Sequence, residues 1–556
     1  MNEKIKKEIV ELISLIGRNG RPGRLGKTFI TDKNYYYYDT GTGKVAKLTQ
    51  STYLVLKYIL EANDEDAILH LSLSDDEIEN SIYEIRKAMK EENILQAPPV
   101  KTLTGEAVKN LDDIMENGVE NVTLEVTEKC NLRCRYCIYH PDHPEYREFG
   151  HRNMEWDTAK KAIDFLKAHS QESEHRHIGF YGGEPLVNFE LIKQAVQYAK
   201  EIFDNNITFA LTTNATLVNT EIASFFADND FNLIISLDGP EELHNANRIM
   251  VNGEGSFNQT IRGCKKIFQE YQKRGKQGKV GFNMVVSGPD YQKQYDEIQH
   301  FIECSEWIPK DTMILTATVD RGPSDSEYYI PQSEKDREFM ETFYEPLFAW
   351  EQHYRANNTD SDMLFSDGAM DKGMLIIHKR LLTDKPIKEY GMNGCCVPGQ
   401  RRIYVTVDGK FLHCEKVGNI PGLGDVQNGF DKKKIEKHYV KDFIKEAQKY
   451  CKECWAINLC TLCYVNCYDS QGTHFSYRHN SCRNERKYLE DNLIRYHMVM
   501  EKDPDSLAHY NDVYNGSVVK TKKLSFYNEL TCIFRGRKNP PSGYLSYAAY
   551  GRSIAG

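Results

Sequence analysis

Apolar and polar positions follow different periods along this chain, and the changes of period divide it into four stretches. In the first hundred residues, Thr28-Phe-Ile and Asn34-Tyr-Tyr-Tyr-Tyr-Asp read as short strands, and Gly41-Thr-Gly43 supplies a turn before Lys44-Val-Ala-Lys-Leu. The period then lengthens to that of a helix. Thr49-Gln-Ser-Thr opens one helix with Tyr53, Leu54, Leu56, Ile59 and Leu60 on a broad apolar face. Ser74-Asp-Asp-Glu77 is a capping-box pattern that opens a second, with Ile78, Ile82, Ile85 and Met89 along one stripe. Small strands followed by helices predict a winged-helix-like module over residues 1–100.

From about residue 115 to 355 strand-like apolar runs alternate with amphipathic helices. The strands predicted are Val122–Val126, Ile178–Tyr181, Ile207–Thr212, Leu233–Leu237, Val280–Val286 and Met313–Thr318; the helices are 157–168, 189–203, 220–228, 257–274, 293–305 and 334–354. Six β/α pairs in series imply an α/β domain with a parallel sheet, either a partial barrel or an open doubly wound sheet. The loops after the strands are then the place for an active site. Between 390 and 485 the periodicity fades, glycines punctuate the chain and cysteines crowd together. Residues 486–556 form a last stretch, helical to about 500 and basic and turn-rich from Lys520, with the last twenty residues expected to be loosely ordered.

Composition narrows the classes. The 556 residues carry a net charge of −10, which disfavours a broad nucleic-acid surface, and winged-helix binding of nucleic acid is disfavoured again by Asp75, Asp76, Glu77, Glu79 and Glu84 on the second helix. No apolar run approaches the roughly 18–20 residues that span a bilayer, and Met1-Asn-Glu-Lys-Ile-Lys-Lys has no apolar signal core behind it, so a cytoplasmic protein is expected. Fifteen cysteines are many for a reduced compartment. Their crowding in short motifs points to metal, while Cys264, Cys304 and Cys532 stand alone and are expected to be small buried residues.

The chemistry concentrates in Cys130-x3-Cys134-x2-Cys137, within Val126-Thr-Glu-Lys-Cys-Asn-Leu-Arg-Cys-Arg-Tyr-Cys-Ile-Tyr-His140, immediately after the first strand of the β/α series. Three thiolates hold three irons of a [4Fe–4S] cube and leave the fourth iron open to a ligand. A structural zinc site needs four protein ligands, and only His140 lies at the spacing to supply one. This motif, with Tyr136 before its last cysteine, resembles that of the radical S-adenosylmethionine (radical SAM) enzymes. The resemblance implies a partial (β/α)6 barrel whose cluster binds S-adenosylmethionine and cleaves it to a 5′-deoxyadenosyl radical. Gly179-Phe-Tyr-Gly-Gly-Glu-Pro185, one β/α unit later, resembles the Gly-Gly-Glu-Pro element of that family, with Gly182 and Gly183 allowing close approach and Glu184 able to accept from the methionine ammonium. Thr213-Asn214 and Ser236-Leu-Asp-Gly-Pro240 follow at later strand ends. The resemblance implies cofactor contacts from Asn214, Ser236 and Arg248, the last suited to a bidentate carboxylate contact.

The nine later cysteines read Cys395-Cys396, Gly409-x4-Cys414, Cys451-x2-Cys454-x5-Cys460-x2-Cys463-x3-Cys467 and Cys482. This resembles the SPASM extension of radical SAM enzymes, which holds two auxiliary [4Fe–4S] clusters and would bring the total to three. Carried over, the ligation assigns Cys396, Cys414 and Cys463 to one cluster, completed by Cys467 or Cys395 or left with an open iron, and Cys451, Cys454, Cys460 and Cys482 to the other. The usual x3 gap after the fifth cysteine is x2 in this chain, and Cys467 is additional. Zinc ribbons are the plainer alternative for Cys-x2-Cys pairs.

The strand-and-helix order of residues 1–100 resembles the recognition domain of enzymes that mature ribosomally made peptides, in which a leader peptide adds a strand to the sheet edge. The run Cys451 to Cys463 is similar to maturases of cysteine-rich peptides, of the ranthipeptide and sactipeptide kind, that form thioether links. The function expected is therefore thioether formation in a precursor peptide, with a flavodoxin or ferredoxin as reductant. Carbon–carbon cross-linking, epimerisation and formylglycine formation on sulfatases are the rivals among enzymes. A non-catalytic iron–sulfur redox or regulatory protein is the rival of another class.

Overall fold

The computed structural model describes residues 3–318 and 372–518, apart from 19, 62–67, 69, 70, 142, 144, 174, 277, 287–290, 311, 393, 503, 505, 506, 508, 509, 512, 515 and 516. The helix expected at 334–354, Cys532 and the tail from Lys520 lie outside the described residues.

The N-terminal stretch opens with helix α1 (Glu3–Gly17), followed by strands β1 (Gly26–Ile30), β2 (Tyr35–Asp39) and β3 (Val45–Leu48) and helices α2 (Gln50–Glu61) and α3 (Asp75–Glu92). The three strands form an antiparallel sheet in chain order, so β3 is an edge. The expected capping box is present: Ser74 Oγ accepts from Glu77 N, and the Glu77 carboxylate accepts from Ser74 N at 2.8 Å. The four tyrosines of β2 divide by strand period. Tyr37 enters the helical core with Ile9, Leu56 and Ile85, whereas Tyr36 and Tyr38 face the opposite way into the main core of the protein. The module therefore does not stand apart. Its sheet is sandwiched between its own helices and the C-terminal helix, whose Glu501 accepts from Thr31, Asn34 and Tyr36 at 2.7–2.8 Å. Thr40 Oγ1 donates to Trp455 O at 2.7 Å, which joins the module to the cysteine-rich region as well.

The central sheet is built from β4 (Asn121–Thr127), β5 (His177–Gly182), β6 (Thr208–Thr213), β7 (Asn232–Ser236), β8 (Val280–Val286) and β9 (Met313–Thr318), within a residue or two of the expected strands. Helices α4 (Trp156–His169), α5 (Phe189–Ile202), α6 (Thr220–Asp228), α7 (Glu241–Asn247), α8 (Phe257–Lys273) and α9 (Tyr291–Glu303) lie between them. All six strands are parallel and adjacent in chain order. An unreversed order with right-handed crossovers winds in one direction and puts the connecting helices on one face, as in a segment of a barrel. A doubly wound sheet would reverse its order, so that alternative is not observed. β4 is buried on both faces along nearly its whole length although its sequence, Asn-Val-Thr-Leu-Glu-Val-Thr, alternates polar and apolar residues, and its buried Glu125 is paired with Arg147.

The sheet continues past β4. The cysteine-rich region adds β10 (Ile403–Val405), parallel to β4, and then the antiparallel β11 (Lys410–Leu412), β12 (Gly424–Asp425) and β13 (Gly429–Phe430), giving ten strands. These strands are two or three residues long, too short to show a period in the sequence. Helix α10 (Phe443–Cys451) and the long α11 (Cys482–Lys502) complete the described elements used below. Among the described residues no helix is long and apolar enough to cross a membrane.

Candidate active site

The parallel order brings the C-terminal ends of β4 to β8 to one edge, and the expected polar residues gather there. The Cys130–Cys137 loop leaves β4 and is braced by the segment after α7. Arg133 N donates to Ile249 O at 2.7 Å, Arg135 N to Asn247 O at 3.1 Å, and Val251 N to Asn131 O at 3.2 Å. Arg248 sits in the middle of that brace. Within the loop, Cys130 Sγ accepts from Leu132 N at 3.4 Å.

Gly182 and Gly183 press against the backbone that feeds this loop. Gly183 N donates to Thr127 O at 2.9 Å and Glu184 N to Lys129 O at 2.8 Å. A Cβ on Gly182, whose φ is +136°, would meet Thr127 O at 2.2 Å, and one on Gly183 would meet Lys129 O at 2.2 Å. Both contacts are backbone to backbone and cannot be relieved by a rotamer. Gly183→Ala is therefore expected to displace the cysteine loop, at a cost of about 1–3 kcal/mol. Thermal denaturation reads this out, and a wild-type midpoint in the variant would refute it.

Glu184 is buried, and its carboxylate accepts from Leu186 N at 3.1 Å, Thr213 Oγ1 at 2.8 Å and Asn214 N at 2.8 Å. It thus ties the end of β5 to the end of β6. Burial pushes its pKa up to about 7, and no described cation neutralises it. Asn214 extends the tie: its Nδ2 donates to Asn131 Oδ1 at 2.9 Å and its Oδ1 accepts from Thr216. Ser236 closes β7 opposite Asn283 of β8, whose Oδ1 is buried without a hydrogen-bond partner.

Arg248 makes a bidentate contact, and its partner is Asp238: Nε to Oδ2 and Nη2 to Oδ1, each at 3.0 Å. Tyr136 OH donates to the same carboxylate, and Val285 N donates to Asp238 Oδ1 at 3.0 Å. Asp238, quoted in the sequence motif but given no role there, is the hub that fixes Tyr136 and Arg248 beside Cys134. His244 underpins it, with its Nε2 at 3.0 Å from Ser256 Oγ, which donates to Arg248 O at 2.7 Å. Burial lowers the His244 pKa to about 4 and keeps the ring neutral. As free thiols, Cys130 and Cys134 are pushed up to about 12 by burial, with the Arg248 charge opposing the shift at Cys134. Ligation to a metal displaces such protons.

The later cysteines fall into two neighbourhoods. Cys395 lies in the field of Cys396, Cys463 and Cys467, and Cys414 in that of Cys396 and Cys463, which gives five sulfurs where a cube takes four. Cys451, Cys454, Cys460 and Cys482 make the second set. Among the described residues no three or more His, Cys, Asp or Glu side chains gather as a single metal ion would require. Cys264 is buried as expected. Cys304 is not: it is exposed at the end of α9, with its sulfur 3.6 Å from His300 Nε2, because the helix turns that position to solvent.

A cavity of about 930 Å³ opens beside both cysteine regions, lined among others by Glu125, Tyr139, Tyr146, Leu412, Glu415 and Val417. Tyr139, Tyr146 and Val417 belong to a small apolar cluster against which Cys137 and Cys414 both pack. The charges around the cavity are paired, Arg147 with Glu125, Arg152 with Glu128 and Arg402 with Glu415. Glu145, 2% exposed, has one oxygen on His143 at 3.1 Å and the other without a hydrogen-bond partner.

Comparison with known proteins agrees with this geometry. Residues 124–302 match the model of the radical SAM superfamily. An uncharacterised protein of Methanocaldococcus jannaschii is 37% identical over 150 residues, which are 27% of this chain and 49% of that protein, so the match spans about half the relative's length. The cysteine-type anaerobic sulfatase-maturating enzyme of Clostridium novyi is 26% identical over 381 residues, 66% of this chain and 94% of the relative. The solved structure of a tagged form of anSMEcpe with bound AdoMet has the same fold, with a TM-score of 0.51 at 21% identity over 71% of this chain and 98% of that one. The chain carries a radical SAM domain over residues 124–302, the domain with which enzymes of that superfamily use a [4Fe–4S] cluster to cleave S-adenosylmethionine.

Proposed function

We propose that this enzyme cross-links a ribosomally made precursor peptide by forming thioether bonds from cysteine sulfur to carbon. One observation carries the reading: Cys137 of the N-terminal triplet and Cys414 of the later set pack against the same apolar cluster at the wall of one cavity. A substrate there lies within reach of two redox centres. The name of the Clostridium novyi relative, a sulfatase-maturating enzyme, supports a polypeptide substrate.

In this reading Cys130, Cys134 and Cys137 hold the cluster that supplies the radical chemistry, and the residues beside them suit S-adenosylmethionine. The Glu184 carboxylate has three protein donors, and with about four lone-pair sites it has one left for an ammonium, the counter-charge that its burial favours. Arg248, already bidentate to Asp238, presents its remaining donors toward Cys134, where a carboxylate would lie. Tyr136, Asn214 and Ser236 complete the rim, and Gly182 and Gly183 hold the loop against the strand ends. The later cysteines hold two auxiliary [4Fe–4S] clusters in a SPASM domain over 390–485, reached by a partial barrel over 115–355. Each link removes two hydrogens from the peptide: carbon gives a hydrogen atom to the 5′-deoxyadenosyl radical, and the thiol gives a proton. Held by the later cysteines, an auxiliary cluster would supply the acceptor for the electron left over as the C–S bond forms, and a flavodoxin or ferredoxin would supply the electron for cleavage of S-adenosylmethionine.

The first hundred residues would bind the leader. β3 is a sheet edge, and its Ala46 and Leu48 meet Glu84 and Ala88 of α3 around a crevice of only about 20 Å³. An extended leader can add a strand there and pack beside the helix. Sulfatase maturation is the second reading, favoured by the similarity to the Clostridium novyi enzyme; the open edge of β3 beside α3 is what it leaves without a use.

Anaerobic reaction with candidate precursor peptides and intact-mass analysis separates these. A loss of about two hydrogens per link, localised to a cysteine, is expected. Crowding the space beside the β3 edge with Ala88→Trp should abolish modification of a peptide bearing its leader while 5′-deoxyadenosine still forms. Peptide left unchanged in mass, or formylglycine made on a sulfatase-derived peptide, would sink the thioether reading.

A further inference from the structure

Arg478 lies in a short 3-10 turn, Phe475–Ser481, and is 4% exposed. Its Nη1 donates to Cys451 Sγ at 3.3 Å and its Nη2 faces Cys460 Sγ at 3.5 Å, while Nε and Nη2 each reach Leu462 O at 3.4 Å. The guanidinium also lies over the Phe443 ring, 5.7 Å from its centroid. Leu462 O, which the guanidinium reaches, also lies 4.0 Å from Cys395 Sγ of the other set. One cation therefore faces both groups of later cysteines.

Among the described residues Arg478 has no ion pair with a carboxylate. A guanidinium does not lose its proton in a protein, and a charge buried without a partner is strongly destabilising. Neutral thiols are poor counter-charges. Thiolate sulfur is a good one, so the site fits cysteines that are deprotonated by ligation to iron and carry net negative charge. A plain structural plug would account for the bonds to Leu462 O. It would not account for a buried cation aimed at two sulfurs.

We propose that Arg478 is a shared electrostatic control of the two auxiliary clusters, holding both at a higher reduction potential than their cysteines alone would set. Hydrogen bonds to sulfur and the net charge around a cluster are the levers that fix its potential. A positive charge and two N–H donors favour the reduced, more negative form. The clusters are thereby better acceptors for the electron left on the peptide at bond formation. The proposal rests on the two-cluster reading given above.

Redox titration of the anaerobically reconstituted full chain, followed by electron paramagnetic resonance alongside iron analysis, tests it. In Arg478→Gln the midpoints of the later clusters are expected to move to more negative potential at wild-type iron content, most for the cluster of Cys451 and Cys460. Arg478→Lys keeps the charge but loses the fork, so a smaller shift in the same direction is expected. The cluster of the Cys130–Cys137 loop serves as the internal standard and should not move. Unchanged midpoints in a fully loaded Arg478→Gln overturn the proposal. If that variant fails to hold its iron, Arg478→Lys decides: a shifted midpoint supports electrostatic control and an unmoved one overturns it. Loss of iron from both variants makes Arg478 a structural clamp and also overturns it. Wild-type protein holding only the first cluster's iron overturns the two-cluster reading as well, which the iron count distinguishes from failure of this inference alone.

Discussion

Replacing Cys130, Cys134 and Cys137 together with alanine is expected to reduce 5′-deoxyadenosine formation to background while leaving the irons of the later cysteines in place. The three residues occupy one loop at the end of β4. Under the proposed function, removing them takes away the cofactor that carries the reaction, not a group that merely assists it. The later irons should survive because their nine cysteines are held by other segments: the loops around Cys395 and Cys414, the end of α10 and the start of α11. Cys304→Ser, at an exposed thiol outside both groups, is the matched control and should change neither iron content nor turnover. The measurement is chromatography of the products after anaerobic incubation with dithionite and S-adenosylmethionine, with iron determined on the same samples. Cleavage persisting in the triple variant would overturn the assignment of this loop. Loss of all iron would show instead that the clusters assemble as one unit.

Much of this site is legible in the sequence because its parts are local. The cysteine spacing, the paired glycines and the capping box at Ser74 each sit within a few residues, and the β/α alternation is carried by long strands with distinct apolar runs. Three features escape, two because they are made by residues distant in sequence and one because its strands are too short. The brace on the cysteine loop joins 131–135 to 247–251 through backbone bonds, which any side chains can make. The extension of the sheet rests on strands of two or three residues that no periodicity window resolves. Asp238 and Arg478 draw their meaning from partners more than ten residues away in at least one direction, Tyr136 and Val285 for the first and Cys451 and Cys460 for the second. The pairing of Arg248 illustrates the difference. Its sequence context suggests a cofactor carboxylate, yet its bidentate partner in the fold is Asp238, which leaves only its remaining donors for a ligand. The packing of residues 1–100 into the main core is likewise not legible, since Tyr36 and Tyr38 look like ordinary strand aromatics until α11 packs on the first and Trp455 on the second.

Asp238→Asn is expected to be as damaging to cleavage as loss of a cluster ligand, although Asp238 touches no iron in this account. The carboxylate accepts from Arg248 twice, from Tyr136 OH and from Val285 N, and these four donors fill its roughly four lone-pair sites, so it has no capacity left for a ligand. Its part is to position. An asparagine amide would set its own donors against one of those groups and leave the Arg248 guanidinium, 6% exposed, without a full counter-charge. Breaking one side of a buried pair costs about 3–5 kcal/mol, and the thermal midpoint of the variant should fall accordingly. Because the backbone on either side of Arg248 holds the cysteine loop, the strain passes directly to Cys134 and Tyr136. A misplacement of about 1 Å is enough to lower a rate by about 100-fold. The double variant Asp238→Leu with Arg248→Met separates the two effects. Replacing both charges with apolar groups of similar size removes the unpaired cation, so its thermal midpoint should recover relative to Asp238→Asn. Cleavage should not recover, since the donors beside Cys134 are gone. An Asp238→Asn protein with wild-type stability and turnover would show that the hub is dispensable, and recovery of cleavage in the double variant would show that Arg248 serves stability alone.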